Sequence, residues 1–299
     1  MERLIAFIGF GEAASSMARD FQKTGVQDMA AYDVMADTNP RGEIIRARAK
    51  QYDVTLFPSA EEACRDAKYI ITFTSPAFAV SVAESIIPLL KAGQRYVDVN
   101  STSPAVMRKI ADIPHEEGVG ICDGAALGNV QKLGCKVPVV VCGTGAEDFK
   151  RDLTPYGMSI EVLDAPIGAA SGMKMLKTVY SKGMQQLVLE YILAAQSCGI
   201  LKEMVCSVHN PMEGKTLEEY ANEAMPRMLI HAKRRAAEVA NAVETVEGLG
   251  LEASMTQAAQ HKFEQIAALN LADQIDNISD MNYQEIAELL LPYMQNIKE

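Results

Sequence analysis

The chain has 299 residues, 48% of them hydrophobic, enough for a substantial core and for two domains rather than one. Its formal net charge is −11 and its longest basic run is Lys233-Arg234-Arg235, which disfavours nucleic acid as a partner because phosphate affinity depends on clustered cations. No apolar run approaches the roughly 20 residues needed to span a bilayer.

The apolar run at the N-terminus is too short for a secretory signal, so no membrane association and a cytoplasmic location are expected. The six cysteines (64, 122, 135, 142, 198 and 206) contain no Cys-x-x-Cys pair and are read as reduced, mostly buried thiols. The four histidines do not pair with cysteine at zinc-ligand spacing, so no metal site is expected.

The first predicted element is a strand at residues 4–8. Gly9-Phe10-Gly11-Glu12-Ala13-Ala14 follows and leads into a helix at 13–23. A second strand at 29–32 ends in Asp33, 22 residues after Gly11. Strand, Gly-x-Gly-x-x-Ala turn, helix, strand and acid together are what a nicotinamide dinucleotide site requires. Gly9 permits the tight turn, Gly11 lets the backbone approach a pyrophosphate, and Ala14 lets the helix pack close to its strand. The backbone of Phe10, Glu12 and Ala13 completes the turn, and the helix N-terminus offers free N–H groups to the phosphates. Asp33 is placed to accept hydrogen bonds from ribose hydroxyls and to repel a 2′-phosphate. The residues after it, Val34-Met35-Ala36, contain no arginine. NAD is therefore the expected cofactor, with Arg41, eight residues on, the cation that leaves NADP open.

Further strands are predicted at 54–57, 69–73, 96–98, 120–123, 138–142 and 159–162, and further helices at 42–51, 60–67, 77–90 and 104–113. This alternation defines an α/β Rossmann-type N-terminal domain, with a doubly wound sheet that is parallel in its first part. In such sheets ligands lie beyond the carboxyl ends of the strands. The candidate site is thus the rim formed by the first glycine turn, Asp33, Thr74-Ser75-Pro76, Asn100-Ser101-Thr102-Ser103 and residues 124–128. Thr74, Ser75, Pro76 and Asn100 are assigned to the cofactor.

From Ala165 onward nearly everything reads as helix: 170–198, 216–225, 226–249, 254–268 and 283–297, with breaks at Gly199, His209-Asn210-Pro211 and Gly250. The expected organisation is a dinucleotide-binding domain over 1–165 and an all-α C-terminal domain over 166–299. The helices are rich in Met and Ala, which suggests a homodimer formed through them.

At about 100° per residue, Lys174, Lys177, Thr178 and Ser181 share one face of the first long helix, with Met175, Leu176, Val179 and Met184 opposite. In a generic helix this is a solvated polar stripe. Following a dinucleotide domain, it is a candidate catalytic face, and the small residues Gly168 to Gly172 leave room for a ligand. A lysine whose pKa is brought towards neutral can take the hydroxyl proton during hydride transfer. Partial burial and a second ammonium at Lys177 both push in that direction. Asp98-Val99-Asn100-Ser101-Thr102-Ser103-Pro104 is the second candidate element. Hydroxyls and N–H groups before a helix that starts at Pro104 suit a carboxylate, and an ordinary N-cap at Ser103 explains the same residues equally well.

These residues together resemble the β-hydroxyacid dehydrogenase superfamily, which includes 3-hydroxyisobutyrate and 6-phosphogluconate dehydrogenases. The resemblance covers nearly the whole chain. It rests on the glycine turn at 9–14, the Asp98…Ser101-Thr102-Ser103-Pro104 segment, and Gly168 followed six residues later by Lys174. It implies Lys174 as the proton-transfer residue and Ser101 and Thr102 as substrate ligands, with Ser103 and Gly128 beside them. It also implies an all-helical dimerisation domain. Two departures stand out. Leu127-Gly128-Asn129 replaces the Ser-Gly-Gly loop of better-known members. Lys177 and Thr178 stand where those members place an asparagine, which makes both candidate substrate contacts and makes the pocket different from that of 3-hydroxyisobutyrate dehydrogenase. The segments Ala170 to Met175, Lys182-Gly183 and the His231 to Glu238 helix look closer to a phosphogluconate-dehydrogenase-like NAD-binding branch. There Arg234, with His231 and Glu238, is a further candidate at the site, against the plainer reading of an exposed Arg234–Glu238 pair.

The expectation is an NAD(P)-dependent dehydrogenase of a small hydroxy acid, with decarboxylation following if the product is a β-keto acid. A reductase of imines or ketones on the same scaffold is the alternative. A non-catalytic NAD(H)-binding sensor or assembly protein is the alternative of another class.

Overall fold

A computed structural model describes residues 3–207 and 211–295 and divides the chain into two compact units, Met1–Tyr180 and Ser181–Glu299. The first unit runs β1 (Arg3–Ile8), α1 (Glu12–Lys23), β2 (Met29–Tyr32), α2 (Arg41–Gln51), β3 (Val54–Leu56), α3 (Ala60–Cys64), β4 (Ala67–Thr72), α4 (Ala79–Ile86), β5 (Arg95–Asp98), α5 (Pro104–Ala111), β6 (Gly120–Ala126), α6 (Val130–Leu133), β7 (Pro138–Gly143), α7 (Ala146–Leu153) and β8 (Ser159–Val162). The strands form one eight-stranded sheet in the order β3-β2-β1-β4-β5-β6-β7-β8. Every neighbouring pair is parallel except β6 with β7.

Strands buried on both faces need apolar residues at successive positions. β1 supplies them: Ile5 and Phe7 enter one core with Phe10, Phe21, Tyr69 and Phe149, while Ile8 enters the other with Ile70, Tyr96, Ile86 and Ile110. Phe7 and Phe10 pack with ring centroids 5.8 Å apart. Burying each such side chain contributes about 1.5–3 kcal/mol. The tails of β1, β2, β4 and β5 thereby become a fixed rim.

Several boundaries differ from those read off the sequence, for identifiable reasons. β6 continues to Ala126 because residues 122–126 pair antiparallel with β7, so the loop after it starts at Leu127 rather than Gly124. α3 ends at Cys64, and Ala67 already pairs with Arg3 as the start of β4. The short helices α6 and α7 lie within the stretch read only as strands and loops.

The long helix α8 (Ala169–Ser197) contains the division between the units. It is followed by α9 (Leu201–Ser207), α10 (Leu217–Ile230), α11 (Ala232–Gly248), α12 (Ser254–Leu269) and α13 (Tyr283–Gln295). Pro226 does not start a helix, as the sequence suggests, but lies buried inside α10, and the break falls at His231. A proline interior to a helix removes one backbone hydrogen bond, and here burial among apolar neighbours outweighs that loss. Thr216 and Glu219 start α10 with a reciprocal capping box. Leu229, Ile266, Leu271, Ile278, Ile286 and Leu290 form the core of this unit. The predicted break at His209-Asn210 and the end of the last helix at Ile297 lie outside the described residues. Among the described residues no helix is long and apolar enough to cross a membrane.

Candidate active site

Gly9 has φ +83°, the left-handed region that favours glycine. A Cβ there would stand 2.3 Å from the Phe73 carbonyl oxygen. The turn is clamped between neighbouring strand ends: Gly9 N–H donates to the Tyr32 carbonyl and Phe73 N–H to the Ile8 carbonyl, both at 2.8 Å. Gly11 differs, because a Cβ added to it would meet nothing within 4 Å. That open space lies directly before α1, whose first N–H groups have no intrahelical partner. Ala14 is fully buried beneath it. Glu12 is exposed, and its carboxylate pairs with Arg48 at 3.5 Å and accepts from Gln131.

Asp33 is bound into the same turn. Its Oδ2 accepts the Phe10 N–H at 2.7 Å and its Oδ1 accepts the Met35 N–H at 2.8 Å. Both oxygens are thus held in place with lone pairs to spare. Arg46 donates to the Ala36 carbonyl, while Arg41 is exposed at the start of α2.

Thr74 and Asn100 connect the next two strand ends: the Thr74 N–H donates to Asn100 Oδ1 at 2.6 Å. Ser75 and Pro76 are exposed at the start of a short 3₁₀ turn. Asn100 is 5% exposed, and its Nδ2 donates to Asp98 Oδ2 at 3.0 Å. Asp98 is fully buried and also accepts the Asn100 N–H (2.9 Å) and the Thr72 hydroxyl (3.2 Å). Burial pushes its carboxyl up to about 6, against the lowering effect of those hydrogen bonds.

Ser103 caps α5 by accepting the Val106 N–H at 3.4 Å, so the N-cap reading holds for that residue. Ser101 is exposed. Thr102 is 4% exposed, and its Oγ1 has no hydrogen-bond partner, as is also true of Thr74 Oγ1. Buried hydroxyls normally find partners, and these two lie after neighbouring strands, β4 and β5.

Lys174 is half-buried on the second turn of α8. Its ammonium is pushed below the ordinary lysine range by burial, and the charge of Asp98 acts in the opposite direction. Lys177, expected to press on Lys174, is engaged elsewhere: its Nζ donates to the Leu127 carbonyl at 2.5 Å, beside the exposed Gly128. The Thr178 hydroxyl donates to the Lys174 carbonyl at 3.0 Å. The small residues at the helix start also have a packing role. Cβ atoms at Gly168 and Gly172 would stand 3.1 Å from the Pro104 carbonyl oxygen and 3.3 Å from Pro104 Cγ. These glycines let the start of α8 approach the start of α5 at Pro104. Arg234 belongs to the second unit, where it is exposed and paired with Glu238.

Two residues, Thr72 and Asp123, were not among the site candidates read from the sequence. Thr72 pairs with Asp98, the first residue of the second candidate element, under the rim. Asp123 is fully buried and accepts the N–H groups of Gly168 (2.9 Å) and Ser171 (3.1 Å) and the Ser171 hydroxyl (3.2 Å). Cys64, Cys122, Cys135 and Cys142 are buried free thiols, and Cys198 and Cys206 are exposed ones. Among the described residues no group of three or more His, Cys, Asp or Glu is placed to hold a metal ion.

Comparison with known proteins bears on the fold and on the N-terminal domain. Residues 4–102 match the family model described as NADP oxidoreductase, coenzyme F420-dependent, and residues 195–266 match a domain of unknown function, DUF1932. The N-terminal unit thus carries an NAD(P)-binding domain of an oxidoreductase. Among solved structures, the chain is similar to a conserved hypothetical protein from Sinorhizobium meliloti (29% identity, 98% of this chain and 97% of that one, TM-score 0.60). It is also similar to a conserved protein of unknown function described as structurally similar to 3-hydroxyacid dehydrogenases (26% identity, 90% and 98% covered, TM-score 0.56). An imine reductase from Myxococcus stipitatus in complex with NADP+ shares the fold at 14% identity (89% and 94% covered, TM-score 0.70). Fold and matches together support a β-hydroxyacid dehydrogenase-like superfamily for this chain.

Proposed function

We propose that the protein is an NAD-dependent dehydrogenase of a small hydroxy acid. The observation that carries this reading is Lys174: a half-buried lysine with a lowered pKa, electrostatically coupled to the buried Asp98, on a helix packed against the start of α5. The open space at Gly11 and the orphaned Thr74 hydroxyl fit a dinucleotide, with Gly9 to Ala14 at the pyrophosphate and Asp33 at the ribose. The nicotinamide, when bound, supplies the hydride acceptor. Ser101 and Thr102 with the N-terminus of α5 bind the substrate acid group. Lys174 takes the hydroxyl proton as the neutral amine. If the product is a β-keto acid, the resulting ammonium returns that proton to the enolate left by loss of CO₂. The test is cofactor reduction at 340 nm across 2- and 3-hydroxy acids; silence across the panel would overturn the assignment.

A second reading, reduction of an imine or ketone, is favoured by the surroundings of Lys174. The two positions where an asparagine would hold a substrate hydroxyl are Lys177, bonded to the Leu127 carbonyl, and Thr178, bonded to the Lys174 carbonyl. Cyclic imines with reduced cofactor distinguish this reading, because it predicts consumption of NAD(P)H with no oxidation of hydroxy acids.

Cofactor choice follows from Asp33. A carboxylate after the second strand repels a 2′-phosphate and is held in place here by the Phe10 and Met35 N–H groups, so kcat/KM with NAD is expected to exceed that with NADP by about tenfold or more, roughly 1.4 kcal/mol. Asp33→Ser is expected to narrow the ratio. A wild-type ratio favouring NADP would overturn this reading.

The protein acts as a homodimer through α8. Leu176 and Val179 are each 71% exposed, and Met184, Leu187, Val188, Leu189 and Leu193 are exposed further along the same helix. Exposed apolar residues along this helix support an interface there. Light scattering is expected to give twice the chain mass for the wild type and the chain mass for Leu176→Glu/Val179→Glu. A monomeric wild type would remove this proposal.

A further inference from the structure

We propose that Asp123 is a positioning residue for Lys174, fastening the first turn of α8 to β6 and so fixing where the lysine stands relative to Asp98. The proposal rests on the reading of Lys174 as the proton-transfer group. Four observations carry it. Asp123 is fully buried, yet it makes no ion pair among the described residues. Its carboxylate instead accepts three hydrogen bonds from Gly168 and Ser171, and the Cys142 thiol lies 3.6 Å from Oδ2. Asp98 and Asp123 are register partners on neighbouring strands, so the carboxylate whose charge acts on the lysine and the one that holds its helix share one frame. Lys174 follows Ser171 by three residues, less than one turn, so displacement of the anchored turn moves the lysine with it.

A carboxylate is well suited to this anchor. Ionised oxygens make stronger hydrogen bonds to backbone N–H groups than neutral caps do, and the start of a helix favours negative charge. Gly168 and Gly172, packed on Pro104, fix the second direction of approach. Between them, β6 and α5 hold the start of α8.

The charged groups around this part of α8 are Asp98 from β5, Asp123 from β6, Arg108 from α5, whose Nη1 lies 3.3 Å from the Cβ position of Gly168, and Lys177 on α8 itself, bonded to the Leu127 carbonyl. Competitive labelling of the full-length protein with acetic anhydride, read by peptide mass spectrometry across pH without substrate, gives the titration midpoint of Lys174 beside that of the exposed Lys109. In the wild type Lys174 is expected to titrate below Lys109. Asp123→Ala leaves the Gly168 and Ser171 N–H groups without their acceptor, and the Lys174 midpoint is expected to rise towards that of Lys109. Asp123→Asn keeps an accepting oxygen and is expected to restore the midpoint. In turnover, Asp123→Ala is expected to lower kcat by about 10- to 100-fold with KM for NAD unchanged, and Asp123→Asn to recover most of it. A folded Asp123→Ala protein with an unmoved Lys174 midpoint would overturn the proposal. If Asp123→Ala does not fold, Ser171→Ala, which removes the hydroxyl's bonds to Asp123 and to the Gly168 carbonyl and keeps both N–H bonds to the carboxylate, must shift the midpoint in the same direction, and no shift overturns it. The labelling series needs no substrate, so it stands even if the hydroxy acid assignment fails.

Discussion

Lys174→Ala is expected to lower turnover by about 10²–10⁴-fold, the range for loss of a positioned general base, while cofactor affinity stays within about twofold of the wild type. The separation follows from the structure, in which Lys174 belongs to α8 and the dinucleotide turn belongs to β1 and α1. The pH profile provides a sharper check. Burial disfavours the ammonium, so the neutral amine needed for oxidation forms below the ordinary lysine range. In the oxidative direction kcat/KM should therefore rise with pH through the Lys174 midpoint and level off above it. In the reductive direction, where the ammonium is the donor, it should fall through the same midpoint. The negative charge of Asp98 favours the ammonium. Asp98→Asn removes that charge, so the rising limb is expected to move to lower pH, not higher. A limb that stays in place in Asp98→Asn, or persists in Lys174→Ala, would assign the titration to another group and remove Lys174 from proton transfer.

How far this site was legible in the sequence depends on the range of the contacts that build it. The glycine turn was legible because its determinants are local: Gly9, Gly11, Ala14 and Asp33 lie on three successive elements in a fixed order. The cap at Ser103 was legible for the same reason, since its partner is Val106. Asp123 was not, because its partners Gly168 and Ser171 are 45 and 48 residues away and only the sheet brings them together. The Asp98–Thr72 contact spans 26 residues and was hidden likewise. Gly168 and Gly172 were noticed as small, but sequence gives no means of telling close approach to a ligand from close approach to Pro104. The continuation of α10 through Pro226 shows the converse. A local rule predicts a boundary, and burial of the apolar face overrides it.

Two single-methyl substitutions in the glycine turn are expected to fail in different ways, and the contrast tests the cofactor site. At Gly9 the added Cβ would lie 2.3 Å from the Phe73 carbonyl oxygen and 2.8 Å from its carbon, both backbone atoms, at a φ of +83°. Neither neighbour is free to move, because the Gly9 and Phe73 N–H groups hold the ends of β1, β2 and β4 together. Gly9→Ala should therefore cost about 2–4 kcal/mol of stability, lower the melting temperature by about 5 °C or more, and abolish measurable NAD binding. At Gly11 the added Cβ meets nothing within 4 Å, and φ is −78°. Gly11→Ala should melt with the wild type, because the fold has room for the methyl group. NAD affinity should still fall by at least about tenfold, because that room is where the pyrophosphate must approach the backbone. Thermal melts and an NAD titration of the two variants separate the cases. Wild-type NAD affinity in Gly11→Ala would move the pyrophosphate away from this turn, and the cofactor assignment of Gly9 to Ala14 would go with it.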